Sequence, residues 1–380
     1  MRTLLLFDGL GGSCADLITD LRERYRQPEN RAFFSAVCEA VECALDHVGG
    51  ETYRRLLPAG LPLRSWLRAP AAPPVAPSDS ISAGVCTHAL QLCQLQPTGR
   101  QAVPGATAVG ALGLSLGLQA AIVAGLDARR PGTFLDLCGR SMRLVVLALV
   151  RGHQLTAADT VDPALVGRYA RGRPGAQPPA PMASVTGVGH RALAEAVARH
   201  NTRHNTRRPA PATAGRAVEV GLVASPRTQL LSGHTEDLLD FHFAHQRLLD
   251  GPGAGWSFLR NTLPFHSARL APAVRWDARD RGFLGAGPSG AQLRFPVYAT
   301  DAPRDLRESP DLSAEFVNLM LVRPVDWPAT VAHVMDASAP ERAIDFGPGP
   351  AARMFTRDCL RPGGRRLRFD SGPRASLQGG

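Results

Sequence analysis

Gly113-Leu114-Ser115-Leu116-Gly117 lies between an apolar run, Ala106 to Leu112, and a stretch, Leu118 to Leu126, that reads as the first turns of a helix. Strand, sharp turn and helix with Gly-x-Ser-x-Gly at the turn is the arrangement of a nucleophile elbow. The turn is tight enough that side chains at the two glycine positions would collide. The serine hydroxyl then stands clear of the sheet at the positive end of the helix, where a backbone N–H can help hold an oxyanion. In a chain with 38 glycines the bare pattern says little, and an ordinary glycine-rich turn is the competing reading. The flanks carry the elbow, and with it an α/β fold built on a parallel sheet.

Composition bounds the rest. At 380 residues the chain exceeds one small domain. No window approaches the roughly 20 unbroken apolar residues of a membrane span, so no membrane partner is expected. Met1 to Phe7 resembles the start of a signal peptide, but Asp8 and a glycine cluster cut it short, so it reads as a first strand. Seven scattered cysteines without a C-x-x-C pair read as reduced thiols of a cytoplasmic protein, with neither a disulfide framework nor a metal site. The net charge of +10 comes from 43 basic residues, all of them arginine. They are spread along the chain and aromatic residues are only 6%, which argues against a nucleic-acid surface. A basic surface attracts an acidic protein partner instead.

Taken in order, Thr3–Phe7 is a strand, Asp8 to Gly12 a loop, and Asp16 to Tyr25, Phe33 to His47 and Ile81 to Leu95 are helices. Ala69 to Pro77 reads as a surface connection and Phe134 to Gly152 as a long apolar helix. Arg171 to Pro181, rich in Gly, Pro and Ala, is a linker. Beyond it the order is strand, helix, strand, strand, helix: Met182–Val188, Arg191–Arg199, Ala217–Ala224, Gln229–Ser232 and Glu236–Leu249. That order suits an inserted ferredoxin-like subdomain. The tandem His200-Asn201-Thr202-Arg203 and His204-Asn205-Thr206-Arg207 reads as a solvated loop expansion. The expected organisation is therefore 1–181 as the first part of an α/β-hydrolase-like large subdomain, 182–262 as the small one, 263–362 as the second part of the large one, and 363–380 as a poorly ordered tail.

His266, in Leu263-Pro264-Phe265-His266-Ser267, is the candidate general base, since imidazole takes a proton near neutral pH. With this histidine, the chain resembles the acyltransferase (malonyl/palmitoyl transferase) domain of type I fatty acid synthases and the related starter-unit acyltransferase domains of fungal polyketide synthases. Six stretches carry the resemblance in order: Leu6 to Gly12, Gly113 to Gly117, Ala224 to Gly233, Pro264 to Ser267, Pro296 to Tyr298 and Asp345 to Gly349.

The resemblance implies a reaction and a partner. Ser115, with His266 as base, would take an acyl group from acyl-CoA, and the phosphopantetheine thiol of an acyl carrier protein would then take it from the serine. No cofactor is bound permanently. The carrier, acidic on its surface, and a fatty acid or polyketide synthase are the implied partners. The family orients its histidine by backbone carbonyls, here expected near the Gly-Pro-Gly turn, so no acidic third member is needed. Backbone N–H groups of Leu10 and Leu116 would form the oxyanion hole. Leu10, Leu114 and Ala224 stand where the family has glutamine, histidine and asparagine, with Leu114 counted among the substrate-binding residues. Relatives that take malonyl groups pair its carboxylate with an arginine: Arg151 by the synthase spacing, which is favoured, or Arg140 by the spacing of stand-alone malonyl transferases. Starter-unit relatives keep an arginine near this place while taking neutral acyl groups, so the acyl group stays open. Two further classes also stay open: a thioesterase or esterase on the same elbow, and a catalytically impaired scaffold.

Overall fold

Thr3–Phe7 (β1) is buried along its whole length, with no polar face. A strand of that kind fits the middle of a parallel sheet covered on both sides, and β1 is the central strand of one. The computed structural model describes residues 1–11, 13–69, 79–97, 108–207 and 217–372; the connection expected at 69–77 falls almost wholly outside them. After β1 come the helices α1 (Cys14–Tyr25), α2 (Arg31–Val48), α3 (Gly50–Leu56), α4 (Leu63–Arg68) and α5 (Ser80–Gln94). Then follow β2 (Ala108–Gly113), α6 (Gly117–Leu126), α7 (Pro131–Thr156) and α8 (Pro163–Gly172). The middle of the chain gives β3 (Met182–Thr186), α9 (His190–Arg207), β4 (Glu219–Ser225), β5 (Thr228–Ser232), α10 (Thr235–Ala244), α11 (Gln246–Leu249) and β6 (Gly255–Phe258). The last part gives α12 (Ala278–Leu284), β7 (Val297–Tyr298), α13 (Leu312–Leu321), β8 (Val325–Asp326), α14 (Trp327–Ser338), β9 (Arg342–Asp345), α15 (Ala351–Leu360) and β10 (Arg368–Ser371).

Two sheets result. The first has the order β10-β9-β1-β2-β7, with every pair parallel. The second has the order β6-β3-β5-β4-β8, antiparallel except where β8 joins β4. From β3 to β6 the chain runs strand-helix-strand-strand-helix-strand, the ferredoxin-like order. One apolar cluster packs β1 and β2 against α1, α2, α5, α6 and α7. Another joins the opposite face of that sheet to α14, α15, β4 and β8. A third lies inside the second sheet.

Three expectations are corrected. The tail is not unstructured throughout: β10 pairs in register with β9 from Arg368–Arg342 to Ser371–Asp345, and Gly372 N–H donates to Asp345 O. Positions 373–380 lie outside the described residues. The His-Asn-Thr-Arg duplication extends α9 to Arg207 and does not form a loop, and the Asn201 amide bonds both N–H and C=O of Val218. The second sheet is not confined to 182–262, because β8 supplies its fifth strand from far down the chain.

Candidate active site

Both glycines of the elbow are required by contact. A Cβ on Gly113 would lie 2.3 Å from Gly117 C and Leu118 N, and one on Gly117 would lie 2.5 Å from the carbonyl oxygens of Phe7 and Asp8. Between them the chain leaves β2 and enters α6 within three residues, with Ser115 held at φ 52°. A non-glycine residue in that region carries backbone strain of about 1–3 kcal/mol. It persists because Leu114 N–H donates to Phe7 O, and Gly117 and Leu118 donate back to Leu114 O and Ser115 O. Leu116 is the N-cap of α6, so its N–H is among those with no acceptor inside the helix.

His266 arrives from 151 residues away, also at positive φ, 57°. Its shelf is tied to the second sheet on one side: Ser232 Oγ donates to Phe265 O at 2.6 Å, and the Glu219 carboxylate accepts from Ser267 Oγ and Ala268 N–H. A Cβ on Gly221 would lie 3.0 Å from His266 O, so β4 runs directly against the shelf. On the other side Ser267 N–H donates to Leu321 O at the end of α13.

The imidazole bridges two partners. Nδ1 lies 3.0 Å from Arg323 O, and Nε2 lies 3.0 Å from Ser115 Oγ. A carbonyl oxygen can only accept, so Nδ1 carries the proton and Nε2 is left to accept from the serine. Burial pushes the His266 pKa down to about 4, against the carbonyls of Arg323 and Leu319, which favour the charged form. The ring is therefore neutral at pH 7. The orienting carbonyl belongs to Arg323, in the segment between α13 and β8, and not to the Gly-Pro-Gly turn that the resemblance suggested.

That turn does something else. Asp8 N–H donates to Gly347 O, and the Asp8 carboxylate accepts from Gly9, Ala351 and Ala352 N–H groups, the last two opening α15. Gln91 of α5 donates from one amide nitrogen to both Asp8 O and Gly347 O, at 2.8 and 2.7 Å. Phe7 stacks on Phe346 with ring centroids 4.7 Å apart. The loop carrying Leu10 is thus fixed at its root, and a Cβ on Gly9 would lie 3.4 Å from Ser115 Cβ. Burial pushes the Asp8 carboxyl up to about 6 despite its three N–H donors. Nothing in the sequence singled out Asp8 or Gln91, whose partners lie up to 344 residues away.

The remaining candidates fall elsewhere. The Arg151 guanidinium grips Asp280 of α12 through Nε–Oδ2 at 2.8 Å and Nη2–Oδ1 at 2.7 Å, and Nη1 donates to Gln154. His47 Nε2 closes on the same carboxylate at 2.9 Å. The favoured carboxylate-pairing arginine is therefore already paired, with the protein's own carboxylate. Arg140 is exposed on the first half of α7, where it lines a cleft that neither Ser115 nor His266 borders. Leu114 is 5% exposed and belongs to one apolar cluster with Leu222, Ala224, Val325 and Trp327. Leu10, Leu116 and Leu149 converge on Gly84, where a Cβ would lie 3.7, 3.6 and 2.6 Å from their methyl groups. Among the described residues no group of three or more His, Cys, Asp and Glu side chains could hold a metal ion, and no helix is long and apolar enough to cross a membrane.

No family model matches the chain. A fatty acid synthase beta subunit of Emericella nidulans is 25% identical over 324 residues, 77% of this chain. The chain spans only 14% of the length of that protein. Among solved structures, the malonyl-CoA–acyl carrier protein transacylase of Coxiella burnetii superposes with a TM-score of 0.61 at 15% identity, covering 98% of this chain and 94% of that one. The acyltransferase domain from module 8 of the salinomycin polyketide synthase gives a TM-score of 0.63 at 15% identity, covering 97% of this chain and 70% of that one. At such identities the likeness shows a shared acyltransferase fold, with its parallel sheet and second small sheet.

Proposed function

We propose that the protein is an acyl-CoA:acyl carrier protein S-acyltransferase of fatty acid or polyketide biosynthesis, and that the group it moves is uncharged. The observation that carries the reaction is the Ser115–His266–Arg323 carbonyl chain, in which the ring tautomer is fixed with Nε2 facing the serine hydroxyl.

In the first half-reaction Ser115 Oγ bonds to the thioester carbon as its proton moves to His266 Nε2. The oxygen of the tetrahedral intermediate is held by the N–H groups of Leu10 and Leu116, and each such donor is typically worth about 3–4 kcal/mol. The C–S bond breaks, and the departing thiolate takes the proton from the imidazolium. In the second half the phosphopantetheine thiol of the carrier gives its proton to Nε2 and attacks the acyl-serine ester. The serine oxygen recovers the proton on leaving. No carboxylate is needed, because the Arg323 carbonyl accepts from the resident Nδ1–H and so stabilises the ring while Nε2 transiently holds the second proton. A backbone N–H is indifferent to its side chain, so the leucines at 10 and 116 leave the oxyanion hole available.

The uncharged acyl group rests on two observations. Arg151, the favoured candidate for a substrate carboxylate, is taken by Asp280, and the side chains of Leu10 and Leu116, the two residues whose N–H groups would hold the oxyanion, pack with Leu149 around Gly84 and bring no polar group with them. A net charge of +10 suits an acidic carrier protein as partner. Intact-protein mass spectrometry tests the reading. Incubation with hexanoyl-CoA should give one acyl adduct on Ser115 that persists until a phosphopantetheine-bearing carrier is added. Turnover without a carrier would make the protein a thioesterase, and absence of any adduct would make it a scaffold.

A further inference from the structure

A cleft of about 1120 Å³ opens along α6 and α7. Gln119, Ile122 and Leu126 line it from one face of α6, and Leu137, Ser141 and Leu144 from the facing stripe of α7. Ala108, which begins β2, also borders it, so it sits at the end of the parallel sheet opposite the elbow.

Its lining divides by chemistry. The floor is apolar: Ile122, Leu144, Leu293 and Phe295 are each under 8% exposed. The rim is cationic. Arg130, Arg140 and Arg294 are exposed there, and no carboxylate among the described residues pairs with any of them; Asp127, the one carboxylate on the lining, is held by Arg129 at 2.8 Å. Other arginines of the chain do find an acid, Arg151 with Asp280 and Arg269 with Asp159 among them. At the inner end stands Gln119, 5% exposed. Its amide nitrogen donates to Ser141 Oγ at 2.9 Å, and the same oxygen lies 2.7 Å from His88 Nε2. The Gln119 amide oxygen is buried with no partner. Such an acceptor is costly unless something donates to it.

We infer that this cleft binds an amphipathic anion: a carboxylate or phosphate head on the Arg130, Arg140 and Arg294 rim, and an apolar body along α6 and α7 whose hydroxyl or amide N–H donates to Gln119. Guanidinium groups match either head group bidentately. The site is separate from the acyl-transfer centre, since neither Ser115 nor His266 lines it.

The test titrates the whole protein with 3-hydroxydecanoate by calorimetry, once as isolated and once acylated at Ser115 with hexanoyl-CoA. One-site binding should be equal in both. R140Q/R294Q should weaken it about tenfold or more while leaving the rate of acyl loading unchanged. Decanoate, which lacks the hydroxyl, should bind several-fold more weakly, as loss of a neutral hydrogen bond to Gln119 implies. Binding lost on acylation would place the ligand at Ser115, and binding unmoved by R140Q/R294Q would exclude the rim; either overturns the inference. Pyrophosphate binding as tightly as the hydroxy acid would also overturn it, reducing the cleft to a basic surface. So would 1,3-decanediol binding equally well, since the charge would then play no part.

Discussion

Arg151→Ala separates a structural arginine from a substrate-binding one. In the wild type, two guanidinium nitrogens hold the two oxygens of Asp280, whose side chain is 3% exposed. Burial pushes the Asp280 pKa up, but hydrogen bonds from Arg151 and His47 outweigh it and hold the carboxylate below its usual range. Removing the arginine leaves that buried charge with His47 alone, and His47 is itself stacked on Phe283 at 4.1 Å. Breaking a buried pair from one side typically costs 3–5 kcal/mol; with one partner remaining, about 3 kcal/mol is expected. For 380 residues unfolding together, each kcal/mol moves Tm by roughly 1–2 °C, so a fall of about 4 °C follows. Loading from malonyl-, acetyl- and hexanoyl-CoA should change by one common factor. Adding Asp280→Asn should restore part of the lost stability, because it removes the stranded charge. The reasoning is refuted if Arg151→Ala keeps its Tm and loses malonyl loading alone by roughly 10- to 150-fold, the signature of a lost bidentate contact to substrate.

Three further outcomes can be checked. Ser115→Gly should abolish the acyl adduct and stabilise the fold by about 1 kcal/mol, since glycine adopts φ 52° without strain; a destabilised variant in denaturant titration would remove the strained elbow. With the His266 pKa at about 4 in the fold, the loading rate should stay flat from pH 8 down to about 5. An acid limb near 6.5 would contradict a buried neutral base. The same depressed pKa means that the unfolded chain takes up the proton first, so stability is lost as pH falls from about 6.5 to 4. Gln91→Leu should lower kcat for transfer about 10- to 100-fold with little change in KM, by loosening the root of the Leu10 loop; an unchanged kcat would leave Gln91 a packing residue.

Where a single side chain or a short spacing decides the outcome, the sequence was informative. Gly113, Ser115 and Gly117 act within five residues, and His266 sits in a rigid Pro-Phe turn, so both halves of the pair could be named before any coordinates. What escaped depends on backbone atoms and long loops. The carbonyl of Arg323 is invisible in a residue name, and Ser232, Glu219 and Gln91 act on partners 33 to 256 residues away. β10 was missed because Arg368–Ser371 has no buried face of its own; it is an edge strand held by its ladder to β9. The His-Asn-Thr-Arg repeat reads as a loop from its polarity, yet it continues α9, where the Asn201 amide finds its partner in the backbone of Val218.

The two apolar departures that most resemble a loss of function, Leu114 and Ala224, belong to one cluster. Leu114 follows β2 in the elbow and Ala224 lies on β4; with Leu222, Val325 and Trp327 they join the parallel sheet to the second one. Polar groups at both places would each need a partner in that region, whereas leucine beside alanine needs none. The change therefore acts as a single repacking of the joint between the two sheets. The Ser115–His266 pair reaches across the same joint, since His266 rests on β4 and β5 while Ser115 rises from β2. A dry, close-packed joint holds Nε2 within 3.0 Å of Oγ without enlisting either side chain in the chemistry. By that logic the leucine and alanine stiffen the placement of the pair, and the elements that the proposed transfer needs, a hydroxyl, an imidazole, two N–H groups and one carbonyl, are all untouched by them.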